Sequence, residues 1–217
     1  MLVDSYLDIT YHLTVKQLCD RRIEGVSMRK SREEAARTRK RIIKVAAQKF
    51  RRQGIGGISV ADLMDAAGLT HGGFYRHFDS KDQLVAEASA SGAAALARRM
   101  TAALEGQSPK SGLKTIAEGY LSPGHRDNTS DGCVLAALGS ELARADKSAR
   151  TAATRGYLDL VDLVARQFNE ASPEGARSKA LATVSLMIGA LTMSRVVKDP
   201  GLSAEILQSA QKHITNS

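Results

Sequence analysis

Apolar residues along this chain return at intervals of three and four, and nowhere do they alternate as a half-buried strand requires. From Ser31 to Gln53, Ile42 or Ile43, then Ala46 and Phe50, mark one helical face, with Arg37, Arg39, Lys40, Lys44 and Lys49 between them. Gly54, Gly56 and Gly57 end that helix in a turn; no Lys-Ser/Thr follows them, so a nucleotide-binding loop is not indicated. Ser59 then stands in N-cap position before the stripe Val60, Leu63, Met64 and Ala67. Asp62, three residues on, outlines a capping box with Asp in place of Glu, and Gly68 sits where a helix-ending glycine belongs. A second short helix opens at Thr70, with Phe74 and Phe78 one turn apart on its inner side. Thr70-His71-Gly72-Gly73, Tyr75 and Arg76 are left for another face. Asp79-Ser80 caps a longer helix through Leu84, Val85, Ala88, Leu96 and Met100 to about Leu104.

The rest of the chain repeats one theme. Breaks rich in Pro, Gly, Ser and Asp fall at 106–109, 122–131, 145–147, 171–175 and 198–201, and apolar sets such as Tyr157, Leu160, Val161, Val164 and Phe168 lie between them. Between Ala180 and Val197 one face presents Val184, Met187, Ile188 and Leu191. Another presents the small residues Ala182, Ser185, Gly189 and Thr192, and a small-residue face lets a partner helix approach closely. The fold class predicted is all-α, with about nine helices. Three shorter N-terminal helices are followed by a larger helical domain.

Charge changes this picture because of where it lies. Residues 28–81 hold 13 Lys and Arg against 5 Asp and Glu, an excess equal to the +8 of the whole chain, so everything outside that stretch is neutral. A localised positive surface is the footprint of phosphate binding, although a solvated basic face produces the same count. Composition excludes more than it selects. No apolar stretch approaches the ~20 residues of a membrane-spanning helix. No basic segment followed by an apolar one marks a secretory signal. Cys19 and Cys133 make neither a disulfide framework nor a metal spacing, which reads as a cytoplasmic chain kept reduced. His71 and His77 are six apart with no further ligand, so no metal site is expected, and no cofactor motif is present. Leu138-Gly139-Ser140-Glu141-Leu142 lacks the second glycine of a nucleophile elbow, and enzymatic function is not expected. The neutral mixture of Met1 to Ser27 ends at Met28, directly before the basic run. Translation is expected to start at Met28, with residues 1–27 as an extension absent from the native protein; the alternative is a mobile arm.

Two short helices joined by a glycine-containing turn have the shape of a DNA-reading helix-turn-helix, with Ala61–Ala67 supporting and Thr70–Arg76 entering the major groove. Gly72 and Gly73 are weak helix formers, so close approach to DNA is a better reason for them than stability. The run from Ser59 to Leu84, above all Phe74-Tyr75-Arg76-His77-Phe78-Asp79-Ser80-Lys81-Asp82-Gln83-Leu84, resembles the signature of the tetracycline-repressor (TetR) family, over about residues 36–86. The resemblance implies a repressor that binds a palindromic operator as a homodimer through its last two helices and is released by a small molecule. It assigns residues 28–80 to DNA binding and 81–217 to ligand binding and dimerisation.

The same resemblance implies roles by position. Thr70, His71 and Gly72 face bases or nearby backbone at the start of the recognition helix, with Arg76 beside them. Tyr75, His77 and Lys81 contact phosphates, and Ser59 adds a hydroxyl or backbone contact. Each has a plainer alternative: Ser59 only caps its helix, Tyr75 packs, and His77 stabilises a helix end. Arg37, Arg39 and Lys40, early in the first helix, either touch phosphate or form a solvated face. Met100, Tyr120, Cys133, Leu138, Tyr157 and Phe168 are the candidates for an inducer pocket, each equally readable as core. Cys133 follows Asp131-Gly132 at a helix start, which allows either a sensing thiol or a buried inert one. An architectural DNA-coating protein explains the basic segment too, but leaves the neutral residues 82–217 without a role.

Overall fold

A computed structural model of the chain describes residues 32–216. Met1 to Ser31, with the expected start at Met28 and Cys19, lie outside the described residues. Residues 32–53 are helical (α1), and the chain from Ile42 onward forms one compact unit. In residues 32–41, Arg37 and Lys40 are exposed and Arg39 is half-buried. Arg37 meets Glu33 one turn away at 4.0 Å.

From Ile42 the unit comprises the rest of α1, then α2 (Val60–Ala66), a 3-10 segment (His71–Arg76), α3 (Lys81–Ala103), α4 (Pro109–Tyr120) and α5 (Pro123–Asp127). A 3-10 turn (Thr129–Asp131), α6 (Val134–Leu142), α7 (Lys147–Ala165), α8 (Pro173–Val196) and α9 (Pro200–Thr215) complete it. No strand occurs among the described residues, and the fold is all-α as the periodicity requires. Helix starts follow local chemistry: Ser80, Ser108, Ser122, Asp146, Ser172 and Asp199 each accept a hydrogen bond from a first-turn amide. Proline follows at four of these starts, where its missing N–H costs nothing.

Two apolar cores result. The first joins Ile42, Ala46 and Phe50 of α1 to Leu63, Met64, Phe74, Phe78, Leu84 and Val85, and continues into Val134, Leu138 and Leu142 of α6. Each large side chain buried here stabilises the fold by roughly 1.5–3 kcal/mol. The second core lies among the far half of α3 (Leu96, Met100), α4, α7, α8 and α9. α3 enters both cores and packs along α7, so one 23-residue helix runs from the helix-turn-helix into the larger domain.

Three details differ from the sequence pattern. The recognition element is a 3-10 segment rather than an α-helix, closed by Gly73 N–H to Thr70 O (3.0 Å) and His77 N–H to Phe74 O (2.9 Å). Two consecutive glycines in six residues leave too little helix propensity for a regular α-turn. Phe168 lies beyond the end of α7, not on it. The expectation that no stretch is long enough to span a membrane is corrected by α8, whose 24 residues include a window with mean hydropathy 1.2. A helix that lines a core meets that criterion without a bilayer, and α8 buries Ala180, Val184, Met187 and Leu191 against its neighbours.

Candidate nucleic-acid interface and ligand cavity

The helix-turn-helix is built outward from Phe74. Its ring is fully buried, stacks on Phe78 at 5.5 Å between centroids, and meets the Tyr75 ring edge-on at 5.2 Å. These anchors turn the polar side of the segment to solvent: Thr70, His71, Gly72, Tyr75 and Arg76 are exposed, Tyr75 by 68%. Thr70 occupies the N-cap position without using its side chain there. A Cβ at Gly72 would meet nothing within 4 Å, and one at Gly73 would make only ordinary contact with Met64. Packing therefore does not require either glycine. His77 is half-buried beside Phe78 and closes the segment.

Ser59 and Lys81 are placed differently from these. The Ser59 hydroxyl accepts from Asp62 N–H (3.1 Å) and donates to Asp62 Oδ2 (2.6 Å), while Asp62 accepts from Ser59 N–H (3.2 Å). This is the capping box, and the hydrogen bonds from Ser59 hold the Asp62 carboxyl below its ordinary pKa. Lys81 turns inward and donates to Ile55 O (2.6 Å) and Ile58 O (2.7 Å). From the other side Glu141 of α6 accepts from Ile55 N–H (2.7 Å) and Gly56 N–H (3.3 Å). The turn between α1 and α2, which begins at Gly54 with φ +79°, is thus gripped by a cation at its carbonyls and a carboxylate at its amides.

In the larger part a cavity of about 550 Å³ opens among α3, α4 and the 122–132 segment. Leu96, Met100, Ala103 and Ile116 form apolar walls, and Arg99, Thr115, Tyr120, Ser122, His125, Asn128 and Asp131 supply polar ones. Of the expected pocket residues, Met100 and Tyr120 line it. Cys133 lies behind it, buried at the N-cap of α6, with its N–H donating to His125 Nε2 (2.9 Å). Three others are elsewhere. Leu138 belongs to the first core, in the cluster that holds Phe50, Leu63, Phe74 and Phe78. Tyr157 borders a separate groove on α6, α7 and α8, where its hydroxyl donates to Leu181 O (3.2 Å) and meets Ser185 Oγ (3.0 Å). Phe168 packs at the edge of the second core with the Lys179 ammonium 5.8 Å from its ring centre.

His125 is the residue the sequence pattern did not bring forward, since it lies in a stretch read as a break. Ser122-Pro123 was the available signal: a cap followed by proline announces a short helix. Because His125 Nε2 accepts from Cys133 N–H, its Nδ1 carries the proton and donates to Tyr120 O (2.7 Å). Burial lowers its pKa, Arg195 and Arg99 lower it further, and the bond to Tyr120 O acts in the opposite sense. Tyr120 Oη, Arg195 Nη1 and Arg51 Nη1 are buried without hydrogen-bond partners among the described residues. Burial, and then the neighbouring Cys133, hold the Tyr120 hydroxyl well above its ordinary pKa, so it stays a donor. Among the described residues no group of His, Cys, Asp and Glu is arranged to hold a metal ion.

A third surface feature lies on α8 and α9. Leu181, Met193, Val196 and Leu202 are exposed there, and the first two elements of the small-residue face, Ala182 and Ser185, are open with Gly189. A groove of about 830 Å³ runs between the helices past Gly189, Met193, Leu202 and Ile206.

Known proteins share stretches of this sequence and its fold. Residues 42–88 match the family described as bacterial regulatory proteins, tetR family, and residues 109–213 match the C-terminal domain of LmrA/YxaF-like transcriptional regulators. The HTH-type transcriptional regulator TtgR of Pseudomonas putida is 40% identical over 58 residues, 27% of this chain and 28% of TtgR. The HTH-type transcriptional repressor KstR2 of Rhodococcus jostii is 41% identical over 49 residues, 23% of this chain and 24% of KstR2. The chain therefore matches only about a quarter of the length of these curated relatives. Among solved structures, reduced E. coli NemR superposes with a TM-score of 0.71 at 20% identity, covering 82% of this chain and 95% of NemR, a likeness of fold.

Proposed function

The chain belongs to the tetR family of bacterial regulatory proteins, and from that premise we propose that it is a DNA-binding transcriptional repressor released by a small molecule. The observation that carries this reading is the exposed row Thr70, His71, Tyr75 and Arg76 on a segment anchored by two buried phenylalanines. Such a segment offers donors to a major groove without unfolding anything. Thr70, His71 and the bare backbone at Gly72 approach base edges, while Tyr75 and Arg76 grip phosphates and His77 assists at the segment's end. Ser59 and Lys81 support the reading as holders of the turn that aims the segment, because their polar atoms are engaged within the protein. Residues 28–80 make the DNA-binding part and 81–217 the ligand-binding and dimerisation part, acting where the chromosome is, in the cytoplasm.

Dimerisation runs through α8 and α9. Four of the five exposed large apolar side chains among the described residues lie on these two helices, and such a concentration of exposed apolar side chains suits a protein partner. A symmetric dimer presents two recognition segments and so reads a near-palindrome with half-sites about 34–36 Å apart. The cavity at Met100 and Tyr120 has the size of small-ligand sites, and its mixed walls suit an amphipathic molecule with an acceptor group. Ligand binding favours a dimer state whose segments no longer match that spacing.

The test is selection of bound duplexes from a random library by the purified chain. The reading predicts an enriched inverted repeat with half-sites about one helical turn apart. Uniform recovery of all sequences points instead to a DNA-coating protein.

A further inference from the structure

The cavity's rim is held from α1 as well as from the cavity wall. Ser130 and Asp131 belong to the short turn Thr129–Asp131, and Asp131 lines the cavity. From α1, Arg51 donates to Ser130 O through Nε (2.8 Å) and again through Nη2, and Gln48 Nε2 donates to Asp131 Oδ1 (3.2 Å). From the cavity wall, Arg99 of α3 donates to Asp131 O. Arg51 is only 8% exposed, although it sits on a helix otherwise rich in solvated cations. A helix and a turn 79 residues apart are therefore joined through a buried guanidinium, with Gln48 beside it.

The guanidinium has a prepared seat. Gly92 lies in the interior of α3, where glycine weakens a helix and needs a packing reason. A Cβ at Gly92 would stand well inside van der Waals contact of Arg51 Nη1, with Val134 Cβ at 3.9 Å. Glycine at this position leaves room for the arginine to cross α3 and reach the rim. The same α1 carries Ala46 and Phe50 into the core shared with Phe74 and Phe78, which anchor the recognition segment.

We propose that Arg51, seated on Gly92, is the positioning residue that couples the cavity to the recognition segment. A ligand that displaces Ser130 and Asp131 pulls on α1 through Arg51 and Gln48, and α1 shifts the Phe74–Phe78 anchor. The inference rests on the reading of the protein as a ligand-released repressor. Coupling is reciprocal: if the rim biases the recognition segment, DNA on that segment biases the rim by the same factor. This permits a test before any ligand is identified.

The experiment is hydrogen exchange, followed by mass spectrometry, on the full chain with and without the duplex selected above. The expected result is that saturating duplex changes exchange in the peptide spanning 128–133 by about fivefold or more. In Arg51→Met, which keeps an apolar stem, removes the donors and leaves only the Gln48 contact, the duplex still binds while most of the rim response is lost. Gly92→Ala, which retains Arg51 and forces its guanidinium tip to shift, reduces the response in the same direction and keeps the test sound if Arg51→Met does not fold. A rim that responds in both variants as in the parent overturns the proposal, as does a parent rim that ignores bound duplex. A chain that binds no duplex overturns the repressor reading beneath it, and that failure is recognised because no recognition-segment peptide is protected.

Discussion

The recognition segment and the cavity wall handle polar groups in opposite ways. On the 3-10 segment, Thr70, His71, Tyr75 and Arg76 stand in solvent over a sealed apolar base. At the cavity wall His125 has both ring nitrogens committed, while Tyr120, and Arg195 and Arg51 outside the lining, each keep a buried polar atom without a partner among the described residues. A surface for a large charged partner can leave its donors hydrated until the partner arrives, whereas an interior site holds its donors dry at a cost in stability. The difference predicts where substitutions are felt. Changes on the segment's outer side act on binding, and changes behind either site act on the fold.

The adjacent pair Phe74 and Tyr75 breaks or upholds that division most sharply. Phe74→Ala should lower unfolding free energy by about 3–5 kcal/mol in chemical denaturation, since the ring is fully buried. Tyr75→Ala should change stability by less than about 0.5 kcal/mol. It should nevertheless weaken duplex binding about tenfold for all sequences alike, read by fluorescence anisotropy. Equal destabilisation by the two substitutions would erase the distinction between inner and outer faces.

Lys81 sharpens the comparison, because the resemblance implied a phosphate contact and the geometry supplies a structural one. Lys81→Met removes two hydrogen bonds to Ile55 O and Ile58 O and should cost about 1–3 kcal/mol in stability. The salt dependence of duplex binding should stay as in the parent. A slope reduced by about one unit would return Lys81 to the set of phosphate contacts.

The smallest effect is expected at His125. Burial holds its native pKa below the ordinary imidazole value, and protonating Nε2 would set a proton against the N–H of Cys133. The unfolded chain takes up a proton at the ordinary value and the native chain resists it. The contribution of neutral His125 is thus complete above that value and is lost as pH falls below it, until the native imidazole itself titrates. Thermal melting between about pH 8 and about pH 5 should show this as a loss no steeper than about 1.4 kcal/mol per pH unit. His125→Gln should flatten that slope; an unchanged slope would assign it to other groups.

Much of the helix-turn-helix was legible in the sequence because its signals are local. The Ser59–Asp62 box, the Val60–Ala67 stripe, Gly68 with φ +67° and the Ser80 cap each depend on residues within one or two turns. The cavity was much less legible. Leu138, Tyr157 and Met100 carry the same apolar signal, and which of them faces a void depends on how α3, α4 and α6 are set against one another. Lys81 looked like a free cation because its partners lie 26 and 23 residues upstream. Arg51 carried no signal of its own in the sequence, since nothing near it announces Ser130.

The central claim is that the outer side of His71–Arg76 reads DNA. Its most direct test repeats the duplex selection with His71→Ala and with Thr70→Ala. The account predicts that both variants still bind but enrich an altered half-site, with each lost contact relaxing its own base position by about 1–3 kcal/mol. Recovery of the parent's half-site, unchanged at every position, by both variants would contradict it.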